Sequence, residues 1–301
     1  MIHAMKRILF LTLISFFLFT GCEDVIEVDL PEQDTRLVVD GLIRVDINET
    51  YIPVEIRLSL SSSFFDNNLP TSAESVLIIY EEYEDDIVVD QGSSSLAETS
   101  PGSGVYVPDP NFSSDQRIST SILDGDFLFT LLIRHQGRLY LAQTRYVPVV
   151  PINSIRQGTG TLFGDDETEV IVNFTDQPDV DNFYLFDFGF GEFLVTEDEF
   201  YKGQEFEFSF FYDQQFESGT VLDISILGAD QTFYNYMDQL IEQSGDLQGP
   251  FQTPVNTVRG NVFDVTDLDN IDVIDNVDQP EVFPLGYFAI VQEEKGQLIV
   301  D

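Results

Sequence analysis

Tryptophan is absent from this chain of 301 residues, cysteine occurs once and histidine twice, and lysine plus arginine number 13 against 54 aspartates and glutamates. Each shortage excludes a chemistry. A single cysteine permits no intrachain disulfide framework. His3 lies in the first residues, so His135 stands alone downstream. That argues against zinc sites of the usual kind and against Ser-His or Cys-His nucleophilic pairs. The deficit of base argues against nucleic acid and anionic head groups as partners, since both are bound through Lys and Arg patches. The missing tryptophan weighs against a sugar platform, although Tyr and Phe can stack too.

What is present explains the one cysteine. Lys6 and Arg7 precede an apolar run from Ile8 to Thr20, too short to cross a hydrocarbon layer about 30 Å thick as a helix. This is the layout of a secretory signal over 1–21 rather than of a membrane span. Gly21 is the small residue that cleavage requires, and FTGC resembles the bacterial lipobox, with Phe19 where leucine is usual. Cys22 is therefore the candidate lipidation residue. The alternative is a buried free cysteine behind an ordinary signal. Each buried acyl methylene contributes about 0.8 kcal/mol, so two or more chains hold a protein stably on a membrane. Loss of Lys6 and Arg7 with the signal leaves 11 of the 13 basic residues against 54 acidic ones, a formal charge of −43. Such acidity suits salty water, where screening acts within about 8 Å. Charged partners are expected to be basic surfaces or cations.

An apolar fraction of 43%, with 27 Phe and 12 Tyr, excludes a disordered chain. Most of the chain reads as strands. Val54, Ile56, Leu58 and Leu60 alternate with polar residues, as do Phe206, Phe208 and Phe210. Further strands are expected at Leu37–Arg44, Ser75–Tyr83, Phe127–Arg134, Arg138–Val147, Glu169–Phe174 and Phe183–Phe188. Val221–Leu227, Tyr287–Gln292 and Leu298–Val300 complete the set. Gln136-Gly137 reads as a hairpin turn. One helix is expected over Asp230–Ser244, with Asp230 as N-cap, Gly245 as stop, and Phe233, Met237 and Leu240 on a packing face. With no β-α-β rhythm, the fold class is all-β: two antiparallel β-sandwich-like domains, the helix in the second. Residues 22–35 read as an acidic tether. The prolines of VPVVPIN (147–153) place a junction between an immunoglobulin-like sandwich over 36–150 and a second β-rich domain over 151–301. Ser93–Gly104 and Pro108–Asp115 read as loops at one end of the first sandwich.

Candidate chemical motifs are few. His135 reads as an exposed residue beside its turn. GTGTLFG (158–164) and FGFGEF (188–193) hold close glycines, yet neither leads from a strand into a helix, so neither reads as a phosphate cradle. No carboxylate pair stands out among so many acids. The run DVTDLDNIDVIDNVDQPE (264–281) offers oxygen ligands for calcium but lacks the glycine turn and closing glutamate of an EF-hand. Its alternative reading packs Val265, Leu268, Ile271, Ile274 and Val277 on a sheet with carboxylates outward. No catalytic residue, cofactor or metal is assigned.

PFQTPVNTVRGNVFD (250–264) and PLGYFAI (284–290) resemble the closing signature of a Bacteroidota lipoprotein family known as domain of unknown function 4249. The matching positions are Tyr234-Asn235-Tyr236, Pro250-Phe251 with Pro254, Asn261, and Gly286-Tyr287-Phe288. LVVDGLI (37–43) and NFTDQPDVDNFYLF (173–186) fit its usual order, while the long acidic run before Gly286 departs from it. The resemblance implies a lipid-anchored outer-membrane protein, commonly encoded beside TonB-dependent receptors. Glu23-Asp24 loosely match a surface-export signal. The expected function is a non-enzymatic accessory of such a receptor in nutrient uptake, bound to the membrane by its lipid and exposed on the cell surface. The alternatives are a surface adhesion or cell-envelope structural lipoprotein, and a hydrolase built on a β-sandwich.

Overall fold

Alternating apolar residues set most of the strands. The computed structural model describes residues 35–62, 68–164, 166–244, 257–266 and 283–301. Strand β1 (Leu37–Val45) buries Leu37, Val39, Gly41, Ile43 and Val45 and turns the alternate residues to its other face. It lies between β2 (Ile56–Leu60), antiparallel, and β16 (Leu285–Ile299), parallel. β3 (Leu69–Pro70) adds to β2, and β6 (Val105–Pro108) continues the sheet beyond it. β4 (Ser75–Glu84) and β5 (Ile87–Glu98) form a long hairpin, followed by a second hairpin of β7 (Phe127–His135) and β8 (Arg138–Val147). Hydrogen bonding runs in the order β16-β1-β2-β6-β5-β4-β7-β8 and then returns, because Tyr146 and Val147 of β8 pair with Ile290 and Val291 of β16. The sheet closes on itself, which leaves no strand edge at that seam. β15 (Val262–Asp264) covers the rest of β8.

The core inside this closure holds Val39, Ile56, Phe129, Leu131, Phe288 and Ile290. A second core lies between two layers. One layer is β12 (Phe193–Glu197), β11 (Phe183–Asp187), β14 (Val221–Ala229) and the second half of β16. The other is a three-stranded sheet in the order β13 (Glu205–Tyr212), β10 (Thr168–Thr175), β9 (Ile152–Gln157). Phe174, Tyr184, Phe186 and Phe188 fill the space between, and Phe188 stacks on Phe210 with centroids 3.8 Å apart. Such a pair adds about 1 kcal/mol beyond its burial. The outer face of β11-β14-β16 is apolar as well. Leu185, Leu227, Ala289 and Val291 there meet helix α1 (Gln231–Ser244) through Phe233 and Met237.

The all-β class and the helix agree with the sequence reading. Phe233 N donates to Asp230 Oδ1 at 2.7 Å, the expected N-cap, while Gly245 lies outside the described residues. Gln136 and Gly137 both take positive φ, as a two-residue hairpin turn requires. Pro148 and Pro151 lie between the end of β8 and the start of β9, and Thr35–Asp301 form one compact unit.

Three features differ. The large sheet is mixed, because β16 runs parallel to both β1 and β8; its partners lie far away in sequence, so alternation could not give their direction. β16 is one strand where two fragments were expected. Its polar middle is carried by pairing with β14 and by Arg44, whose Nη1 reaches Asp187 Oδ2 at 2.7 Å and Glu293 Oε1 at 3.3 Å. Ser93–Glu98, read as loop, belongs to β5. There Ser and Gly replace the apolar alternation because the Tyr80 ring lies where a Cβ on Gly92 would be.

Gly286 sits at φ +96, and a Cβ there would overlap the Val39 carbonyl across the β1–β16 pair. Gly286→Ala is expected to cost about 3 kcal/mol or more. Gly102→Ala, at φ +82 with open space around it, is expected to cost about 1 kcal/mol. Urea midpoints of the two variants check this, and equal losses would contradict it.

Candidate functional site

Inward alternation buries two polar residues, one at the end of its strand and one just beyond. In β7 the buried positions Phe129, Leu131 and Ile133 continue to His135, which is only 2% exposed. Its Nε2 lies 2.9 Å from Thr71 Oγ1. The reading of His135 as an exposed turn residue is therefore corrected. The turn begins one residue later, and counting the period of two one step further would have buried it. Burial pushes its pKa down from the ordinary 6.5, with Glu74 opposing weakly.

In β10 the buried series Val170, Val172 and Phe174 continues to Asp176. The carboxylate accepts from Tyr184 Oη and, at 2.7 Å, from Gly203 N. Asp198, also buried, accepts from Asn182 N at 3.0 Å through Oδ2, and its own N–H donates to Asn182 O at 3.1 Å. Tyr201 Oη lies 3.0 Å from Thr196 Oγ1, and its ring stacks on Phe206 at 4.2 Å. This knot ties the β10–β11 loop to the β12–β13 loop. It is the densest group of buried titratable side chains described, so its chemical capacity decides whether a catalytic reading is available.

The arrangement favours structure over chemistry. Burial, and then the bond to Asp176, push the Tyr184 hydroxyl far up, and burial takes Tyr201 to about 12. Both phenols stay protonated near neutrality, and Tyr184 donates its proton to Asp176. Both Asp176 oxygens and Asp198 Oδ2 accept from donors of this same chain. Among the described residues, no three His, Cys, Asp or Glu side chains are grouped to hold a metal ion. The glycine stretch 188–193 is the β11–β12 turn, and 158–164 is the loop after β9; neither opens a helix.

The other sequence candidates separate. Cys22 lies outside the described residues, as does most of the acidic run, from 267 onward. Of that run, Val265 is buried and Asp264 Oδ2 meets Arg138 Nε at 2.5 Å. The two loops expected at one end of the first sandwich leave opposite ends of β6, because that short strand crosses the sheet between them. The residues that carry the family resemblance do converge, on the first half of β16. Asn261 Oδ1 accepts from Phe288 N at 2.8 Å and its Nδ2 donates to Phe288 O at 2.8 Å and Gln143 O at 3.0 Å, stapling β16 toward β8. Tyr236 packs on Tyr287 at 4.8 Å, and Tyr234 on Phe183 at 5.2 Å. Pro250, Phe251 and Pro254 lie outside the described residues. This constellation fixes the last strand.

A depressed folded-state pKa means that the unfolded chain binds the His135 proton first as pH falls. The stability that neutral His135 contributes is present above about pH 6.5 and lost as pH drops through the folded value. Thermal midpoints of wild type and His135→Gln are expected to diverge between about pH 7 and pH 5.5, with wild type losing more. Parallel profiles would contradict a buried, neutral His135.

The family model described as Domain of unknown function (DUF4249) matches residues 23–271. β16 lies beyond that span. No curated protein matches the chain.

Proposed function

We propose that this chain, which belongs to the family described as Domain of unknown function (DUF4249), is a non-enzymatic lipoprotein held on the outer membrane of a Bacteroidota cell through Cys22 and serving as accessory to a TonB-dependent receptor in nutrient uptake. The observation that carries the reading is the order of the first residues: Lys6-Arg7, an apolar run, Gly21, then the only cysteine. A thioether to a diacylated glyceryl group at Sγ, with a third chain on the freed amine, gives the two or more anchors that stable membrane attachment needs. The acidic residues 23–35 then separate the lipid from β1 in sequence.

Pairing of the buried Asp176 and Asp198 carboxylates with the chain's own donors supports the non-enzymatic part. A formal charge of −41 supports contact with a basic partner rather than with nucleic acid or anionic lipid. The second reading, a surface adhesion or cell-envelope structural lipoprotein, shares the anchor and differs in needing no receptor.

Labelling with an alkyne analogue of palmitate in a Bacteroidota host tests the anchor. Wild type is expected to carry the label and fractionate with the outer membrane, and Cys22→Ser is expected to lose both. An unlabelled wild type would contradict the reading. A detergent pull-down of wild type is expected to recover a TonB-dependent receptor, whereas recovery of copies of itself or of matrix alone would favour the second reading.

A further inference from the structure

One end of the second sandwich carries exposed apolar side chains on acidic loops. It is formed by the β9–β10 loop, the β11–β12 turn, the β13–β14 loop and the last residues of β16. Phe163 is 97% exposed, Phe190 67% and Ile299 64%, with Leu162 and Val221 exposed beside them in sequence or pairing. Hydrogen bonds hold these segments together. Tyr212 Oη donates to Phe188 O at 2.6 Å, Thr168 Oγ1 to Gln214 O at 2.8 Å, and Gly219 N to Val300 O at 2.8 Å. The Phe190 ring meets Phe216 at 5.3 Å, and Phe216 meets Tyr212 at 5.0 Å.

The backbone is shaped to keep these tips out. Phe190 sits at φ +55 between Gly189 and Gly191, which also have positive φ. Asn or Gly suits that conformation better than a bulky aromatic residue, so folding alone does not account for Phe there. In the β9–β10 loop, the N–H groups of Leu162 and Phe163 both donate to the Glu167 carboxylate, and Gly160 N donates to Glu169 at 2.6 Å. The carboxylates draw the backbone inward and leave two apolar side chains in solvent.

Charge decides what can cover them. Residues 158–168, 186–193, 212–223 and 297–301 contain no Lys, Arg or His, while Asp166, Glu192, Asp213 and Glu217 stand exposed among the apolar tips. A second copy docked by the same end would set acid against acid, and an anionic lipid surface would do the same. We propose that this rim is a docking surface for a protein whose apolar pocket is bordered by lysine and arginine. The rim lies at the opposite end of β16 from Thr35, about 45 Å away by strand rise. The proposal goes beyond the accessory role and stands whatever anchors the chain.

Photo-crosslinking in the full chain, expressed in Bacteroidota cells, tests it. p-Benzoyl-phenylalanine replaces Phe163 or Phe190, and in a control it replaces Phe200, an 85% exposed residue at the other end of the β11–β12 hairpin. Positions 163 and 190 are expected to give adducts with one and the same polypeptide, mapped by mass spectrometry to an apolar surface flanked by Lys and Arg, and position 200 is expected to give none. Leu162→Ser with Ile299→Ser is expected to weaken that complex about thirtyfold without moving the melting temperature, because both side chains stand in solvent. Adducts only with lipid, only with a second copy or with an acidic surface, equal adducts from position 200, no adduct, or undiminished binding by the double variant would each overturn the proposal. A basic-bordered partner that is not a TonB-dependent receptor would leave this surface standing and remove the accessory reading. Receptor recovery undiminished in the double variant would do the reverse.

Discussion

The structure depends on one strand that is hydrogen-bonded across two cores. The first half of β16 runs parallel to β1 and closes the larger sheet against β8, and its second half pairs with β14 over the aromatic core. Alternation along β16 sends Phe288 and Ile290 into the first core, Tyr287, Ala289 and Val291 under α1, and Leu298 into the second core. A strand used on both edges and both faces is buried without a break from Tyr287 to Gln292. That explains why Gly286, Asn261 and Phe288 are bound to each other's backbones or to Val39 so closely.

Two consequences follow for function. The buried polar groups are consumed in holding this arrangement: Arg44 joins β1 to β11 and β16, and the Asp176 and Asp198 knot braces the loops at one end of the second sandwich. The loops differ in kind. Those at the knot end are cross-braced by carboxylates, whereas those at the opposite end hold Phe190 and Phe163 out in water on backbones fixed by glycines and by Glu167. A stiff sheet between the two ends lets a contact be made at a fixed distance from Thr35.

Local rules were legible in the sequence and long-range ones were not. The Gln136-Gly137 signal placed β8 at Arg138–Val147, and the period of the Phe233, Met237 and Leu240 face placed α1. The β5 strand escaped because Gly92 yields its space to Tyr80, a contact invisible to alternation. Parallel pairing of β16 escaped because its partners β1 and β8 lie 247 and 144 residues earlier. His135 and Asp176 escaped for a milder reason: each continues an apolar inward series with a polar residue, and polarity was weighed above period. The anchor proposed at Cys22 rests on the sequence alone, since that residue lies outside the described ones. The apolar tips were not legible, because exposure of Phe163 or Phe190 is a property of the folded loops rather than of their composition.

The claim that β16 binds the two cores into one cooperative unit is tested most directly by native-state hydrogen exchange followed by mass spectrometry across a urea series. Amides of β1, β14 and both halves of β16 are expected to open together, at the same urea concentration and with the slowest exchange in the chain. Earlier opening of β14 and the second half of β16, with β1 and β2 still protected, would mean that the shared strand does not couple them.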